Sequence, residues 1–230
     1  IKEKYDLGSK NLIYFGRVSV EKSIKVLIHA LRVVLIEHPE IKLVVVGDGP
    51  SLKNLKNLVK KFKLEKNVVF TGKIPHEKLI NSGLIKGCNI FVSASKSENQ
   101  PISVLEAMAF GLPLIGVDKL GMPELVQDRK NGFISRPDDP IDFAKNIIKL
   151  INKPELEKKF GEASLELIKN HSLKNVVKEI EEQYKELIIL NKNNKPKFKK
   201  LKSRFKKIKK EIKNKIKDED IIKNFKNKFK

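Results

Sequence analysis

The sequence has no tryptophan, one cysteine, two methionines and three tyrosines in 230 residues. A single cysteine, Cys88, excludes an internal disulfide and suits a reducing compartment. It stands just before an apolar run, so it is expected in the core. No stretch approaches the roughly 20 apolar residues needed to cross a bilayer. The opening residues, Ile1-Lys2-Glu3-Lys4, form no signal stretch and include no starter Met, so the start reads as a cut or as the second half of something longer. No Walker loop and no full dinucleotide fingerprint follows the first apolar run, which sets aside simple ATPase and dehydrogenase readings. His29, His38, His76 and His171 lack metal-ligand spacing. Neither a Ser-His-Asp nor a Cys-His arrangement is supported by the order of residues.

What the chain has in excess is positive charge, +21 formally, and it is unevenly placed. Between Asn191 and Lys230 stand 18 basic and 4 acidic residues, against 31 and 24 in everything before them. The tail needs its own explanation; the body needs only a mildly basic one.

The body alternates short apolar runs with amphipathic stretches. Residues 12–15, 43–46, 68–70, 90–92 and 114–117 read as strands, and 24–36, 52–62, 76–84 and 102–110 as helices. This alternation predicts an α/β fold: a parallel sheet covered by helices on both faces. From residue 141 the pattern turns helical, at 141–151, 155–170 and 173–190, with little strand between. Asp139-Pro140 and Asn152-Lys153-Pro154 are the expected helix starts. The last of these helices would cover an edge of the sheet domain or cross to another domain. Residues 1–190 are thus expected to form one Rossmann-like domain with terminal helices, and 191–230 a lysine-rich linker and amphipathic tail.

In such a sheet, ligands bind outside the carboxyl ends of the strands. Gly16-Arg17 and Glu21-Lys22 follow the first predicted strand, and Gly47-Asp48-Gly49-Pro50 the second. Residues 93–101 follow the fourth and lead into a helix. Glycines allow close backbone approach, helix starts attract anions, and Arg17 and Lys22 supply a planar fork and a mobile point charge. A diphosphate across these loops is one reading; a purely structural role for Gly47 and Gly49 is the other. Glu106 lies just over one turn inside an otherwise apolar helix segment, where a carboxylate needs a partner. A ribose diol would supply one, and Glu98 would accept from sugar hydroxyls. The competing reading leaves Glu98 solvated and Glu106 capped or paired locally.

Several patterns fall in a fixed order: Phe15-Gly16-Arg17 with Glu21-Lys22, Val46-Gly47-Asp48-Gly49-Pro50, Phe70-Thr71-Gly72, Glu98 to Glu106 continuing into Ala107-Met108-Ala109-Phe110-Gly111-Leu112-Pro113, and Gly121-Met122-Pro123-Glu124 with Asn131-Gly132. Together they resemble the C-terminal donor-binding domain of retaining glycosyltransferases of the GT-B class, family 4 type (glycosyltransferases group 1), a group that includes lipid glycosyltransferases. The resemblance runs from about Asn11 to Ile188. It implies one half of a GT-B fold and retaining transfer of a hexose from a UDP- or GDP-sugar to a lipid or glycan acceptor, with no metal or other cofactor required. It implies that Arg17, Lys22 and Glu98 are the catalytic groups. Gly16, Arg17, Lys22, Ile74, Glu98, Asn99, Gln100, Ile102, Ser103 and Glu106 would hold the donor, Glu106 on its ribose and the segment near Lys73-Ile74-Pro75 beside the base. The family's N-terminal acceptor-binding domain is absent from the sequence, so the isolated chain is expected to transfer poorly.

Three departures stand out. Ser23 replaces a Gly often found after the Glu-Lys pair, Asn99-Gln100-Pro101-Ile102 replaces a Gly-containing loop, and Gly121-Met122 replaces paired glycines. Beyond the body, Phe198, Leu201, Phe205, Ile208, Ile212 and Ile216 recur at helical spacing in a field of lysine. Such a stripe predicts that residues 197–230 lie on an anionic membrane surface, placing the protein in the cytoplasm on the cytoplasmic face. The tail has no Trp or Tyr and one Arg, so sequence-specific nucleic-acid recognition is not expected. Two other readings remain: a noncatalytic membrane- or nucleic-acid-binding protein that uses the tail, and a same-fold epimerase or phosphorylase.

Overall fold

The computed structural model describes Tyr5 and residues 7–190, without the side chains of residues 173 and 188–190. The predicted tail helix at 197–230 lies outside the described residues. Two compact units are present, one ending at Ser172 and a second beginning at Leu173.

The first unit is built on six strands: β1 (Asn11–Phe15), β2 (Lys42–Val46), β3 (Val68–Gly72), β4 (Ile90–Val92), β5 (Leu114–Val117) and β6 (Gly132–Ser135). All pair in parallel, in the spatial order β3-β2-β1-β4-β5-β6. Helices α1 (Ile24–Glu37), α2 (Leu52–Lys61), α3 (His76–Asn81), α4 (Ile102–Ala109), α5 (Met122–Leu125), α6 (Pro140–Ile151) and α7 (Pro154–Leu167) connect and cover the strands. The period-two alternation of β1 sends Leu12 and Tyr14 into the core cluster that contains α1, α2 and α6, and Ile13 and Phe15 into the one that contains α3, α4 and α5. Leu43 and Val45 of β2 divide from Val44 and Val46 in the same way. Both faces are therefore apolar, as a parallel sheet requires.

Asp139 accepts from the backbone N–H groups of Ile141 and Asp142 at the start of α6, and Pro140 follows it, as the sequence predicts. Those hydrogen bonds, the one from Asp142 foremost, hold the Asp139 carboxyl below its ordinary range. Two features differ from expectation. The predicted helix at 76–84 stops at Asn81, because the chain turns through Gly83 at φ +70°. A sixth strand, Gly132–Ser135, lies where the sequence pattern named none. It is short and begins with a glycine, whose Cβ would come within 2.0 Å of the Leu114 carbonyl oxygen across the ladder. Only that tertiary pairing makes it a strand.

The second unit opens with α8 (Leu173–Leu190), an amphipathic helix with a Lys178–Glu182 ion pair along one side. No helix among the described residues is long and apolar enough to cross a membrane.

Candidate active site

The strand order reverses direction between β1 and β4, which are neighbours in the sheet but distant in sequence. At such a switch point the loops leaving the two strands diverge to opposite faces and open a crevice. A cleft of about 690 Å³ lies there. Its lining includes Gly16, Arg17 and Lys22 from the β1 side, Glu98, Ile102, Ser103 and Glu106 from the β4 side, and Ile74 beyond β3. Eight of the ten predicted donor-site residues are thus brought together. Asn99 and Gln100 are not: both are exposed and lie outside the lining. The Asn99 carbonyl oxygen instead packs where a Cβ on Gly121 would sit, only 1.6 Å away.

The β1 loop explains its own sequence. Gly16 leaves the strand at φ +151° and donates its N–H to the Val46 carbonyl at 3.0 Å. A Cβ on Gly47 would fall 1.9 Å from the Gly16 carbonyl oxygen, and one on Gly49 2.3 Å from that of Val18. The two glycines therefore let the loops after β1 and β2 lie backbone to backbone, so the structural reading accounts for them. Tyr14, buried in the strand, donates its hydroxyl to the Arg17 carbonyl at 2.9 Å and pins the turn. Burial, reinforced by the negative charges of Glu98 and Glu21, drives the Tyr14 phenol's pKa well up, so it remains a donor. The Arg17 guanidinium is exposed and makes no hydrogen bond or ion pair among the described residues.

Beyond it the chain makes a single 3-10 turn, Val20–Lys22, before α1. The Ser19 hydroxyl donates to Glu21 at 2.5 Å; this bond, then the Glu21 N–H and the charges of Arg17 and Lys22, hold the Glu21 carboxyl below its usual range. Ser23 then takes φ +51°, the left-handed region that glycine occupies without strain. The departure at this position keeps the backbone shape of a glycine and leaves Lys22 in the cleft.

Lys22 forms an ion pair with Glu98, both part-buried, joining the loops that leave β1 and β4. The Ser95 hydroxyl also donates to Glu98, at 3.3 Å, and the Lys96 N–H donates to the Glu21 carbonyl, also at 3.3 Å. Glu106, on the second turn of α4, accepts from His76 at the start of α3. Glu106 thus pairs non-locally, across 30 residues. Pro101 caps α4 and carries no N–H, and its carbonyl takes the N–H groups of Val104 and Leu105, which leaves those of Ile102 and Ser103, two residues that line the cleft, without a helical partner. Reading the sequence missed the roles of Tyr14 and Asp48 as lining residues and the bond from His76 to Glu106. A tyrosine in the first strand, directly before Phe15-Gly16, was the available signal for the first.

The geometry gathers the exposed Arg17, the part-buried Lys22, part-buried carboxylates and the start of α4 at one rim. The family model described as glycosyl transferases group 1 matches residues 1–167.

The chain belongs to the glycosyl transferases group 1 family.

Among curated relatives of this group 1 chain, the alpha-monoglucosyldiacylglycerol synthase of Streptococcus pneumoniae is 34 % identical over 187 residues, covering 80 % of this chain and 40 % of that protein. Among solved structures, the C-terminal domain of a glycosyl transferase group 1 family protein from Francisella tularensis superposes with TM-score 0.65 at 26 % identity, covering 74 % of this chain and 91 % of that one. The Anabaena protein HepE, solved with UDP-glucose, gives TM-score 0.70 at 23 % identity over 80 % of this chain and 51 % of its own. The first unit is accordingly one half of a GT-B fold. The chain spans about half the length, or less, of the curated relatives it matches. No group of three or more His, Cys, Asp or Glu side chains that could hold a metal is found among the described residues.

Proposed function

We propose that this chain is the donor-binding half of a retaining hexosyltransferase that moves a sugar from a UDP- or GDP-sugar to a lipid or glycan acceptor. The observation that carries the reading is the meeting of Lys22 and Glu98, from the two loops that diverge at the switch point, inside one cleft with Arg17 and Glu106. A diphosphate entering there would draw Lys22 from Glu98 and take the free guanidinium of Arg17. Both cations would then oppose the charge that grows on the departing nucleoside diphosphate. Glu98, released from Lys22 while still near Ser95, would accept from sugar hydroxyls. Glu106 would take the ribose, with Lys73, Ile74 and Pro75 along the base.

A thermal-shift panel of UDP, GDP, ADP and their sugars tests this. A stabilising nucleoside diphosphate is expected, with the shift reduced in Glu106→Ala. No shift from any of them sinks the donor site.

The acceptor-binding part is assigned to sequence outside this chain, so the purified 230-residue chain alone is expected to turn over poorly. A lipid acceptor is favoured by the lysine excess of residues 191–230, which suits an anionic cytoplasmic membrane face. The pneumococcal relative, named as an alpha-monoglucosyldiacylglycerol synthase, supports the same acceptor class. Cosedimentation with anionic and neutral vesicles checks this, with a chain ending at Leu190 as control. Equal binding by the two chains removes the tail from membrane contact.

A further inference from the structure

Within the cleft, the bond between His76 and Glu106 is not used by the proposed roles. The two residues come from different strand–helix units. His76 opens α3, where Pro75 before it and the buried Leu79 after it fix the backbone. Glu106 projects from α4, held by the buried Val104, Ala107 and Met108. The His76 side chain is 67 % exposed and that of Glu106 only 21 %. An exposed ion pair between neighbours on one helix would carry little meaning. The His76–Glu106 hydrogen bond instead joins two strand–helix units, and both of its residues line the cleft. Among the described residues, His76 is the hydrogen-bond partner that Glu106 has.

A glutamate side chain has three rotatable bonds, and one partner on one oxygen removes most of that freedom. His76 Nε2 bonds Oε1 of Glu106. A carboxylate offers about four lone-pair sites, so Oε2 and the second site on Oε1 remain for a vicinal diol. The imidazole also stands beside Ile74 and Pro75, where the base is assigned. Its bond to Glu106 therefore fixes the angle between the base end and the ribose end of the cleft before a nucleotide arrives.

We propose that His76 is a positioning residue for ribose recognition: it orients the Glu106 carboxylate so that the site selects ribonucleotides. The inference rests on the donor-site reading above and deepens it. It concerns the ribose and leaves the diphosphate to Arg17 and Lys22.

The test uses the full 230-residue chain and calorimetric titration with UDP, GDP, their 2′,3′-dideoxy forms, and inorganic pyrophosphate. In His76→Ala the ribonucleotide that binds is expected to weaken by about fivefold, the loss of one preoriented hydrogen bond. The dideoxy form and pyrophosphate should be unchanged. His76→Gln, which keeps an N–H donor, is expected to restore most of the loss. In a Glu106→Ala background, His76→Ala should change nothing further. The inference is overturned if His76→Ala weakens ribo- and dideoxynucleotides alike, if its effect persists without Glu106, or if it has no effect where Glu106→Ala does. A different result sinks the ribose assignment itself: Glu106→Ala leaving the ribo-to-dideoxy ratio unchanged. Absence of binding by both UDP and GDP overturns the donor site and this inference together.

Discussion

The two ends of the same sheet use polar residues in opposite ways. At the end where the strands begin, Asn11 is 1 % exposed, and its amide accepts from the Gly8 N–H and donates to the carbonyls of Gly8 and Gly87. Asn89 accepts from the Asn11 N–H and donates to Glu157, which also takes Lys10 at 2.6 Å. These groups satisfy one another, and the network ties α7 to β1 and to the approach to β4. At the end where the strands finish, Lys22, Glu98, Glu106 and His76 pair in twos across an open cleft, and Arg17 pairs with none of the described residues. Closed networks of satisfied groups stabilise a fold. Groups left with unused hydrogen-bonding capacity facing solvent are available to a ligand. The difference separates residues that hold the domain from those that serve it.

Asn11→Ala gives the largest expected effect. It leaves one part-buried N–H and two part-buried carbonyls without their partner and should lower unfolding stability by about 2 kcal/mol, read from the urea midpoint. A loss below about 0.5 kcal/mol would erase the contrast between the two ends. Arg17→Ala should do the reverse: leave stability within about 0.5 kcal/mol while weakening nucleoside diphosphate binding about tenfold, with nucleoside binding little changed. Titration calorimetry beside a denaturant melt reads both numbers.

Smaller still is Ser23→Gly. Removing a side chain from φ +51° should raise stability by about 0.5 kcal/mol, the relief of left-handed strain less the added freedom of the unfolded glycine. A decrease would mean that the Ser23 side chain contributes something the backbone angle does not reveal. The smallest effect is chemical. Burial pushes the Cys88 thiol from its ordinary value of 9.0 up to about 12, so it stays protonated where an exposed thiol would ionise. Its contribution to stability is whole below about pH 9 and is lost as pH rises toward 12. A thiol reagent at pH 8 should therefore modify the native chain far more slowly than the urea-unfolded one.

Most of the sheet was legible because five of its strands are runs of β-branched, aliphatic and aromatic residues that carry their own signal. β6 was not, since Gly132-Phe133-Ile134-Ser135 becomes a strand only against β5. α5 is one turn long, and its Met122 is buried against Gly116, which explains why the expected second glycine at that position is dispensable. The site shows the same division. Arg17, Lys22, Glu98 and Glu106 stand out by residue type beside loops, whereas the bond from His76 to Glu106 depends on two helices converging. Asn99 and Gln100 sit in the loop before α4 but outside the cleft lining, and the Asn99 carbonyl packs against Gly121.

By itself the sequence determined the alternation of strand and helix, the concentration of lysine after residue 190, and the set of charged residues beside loops, because each is a local property of residue type and spacing. Only the tertiary structure decided which of those residues share a cleft. That choice follows from the strand order: placing β1 beside β4 brings loops more than seventy residues apart to one crevice, and no local pattern encodes that adjacency.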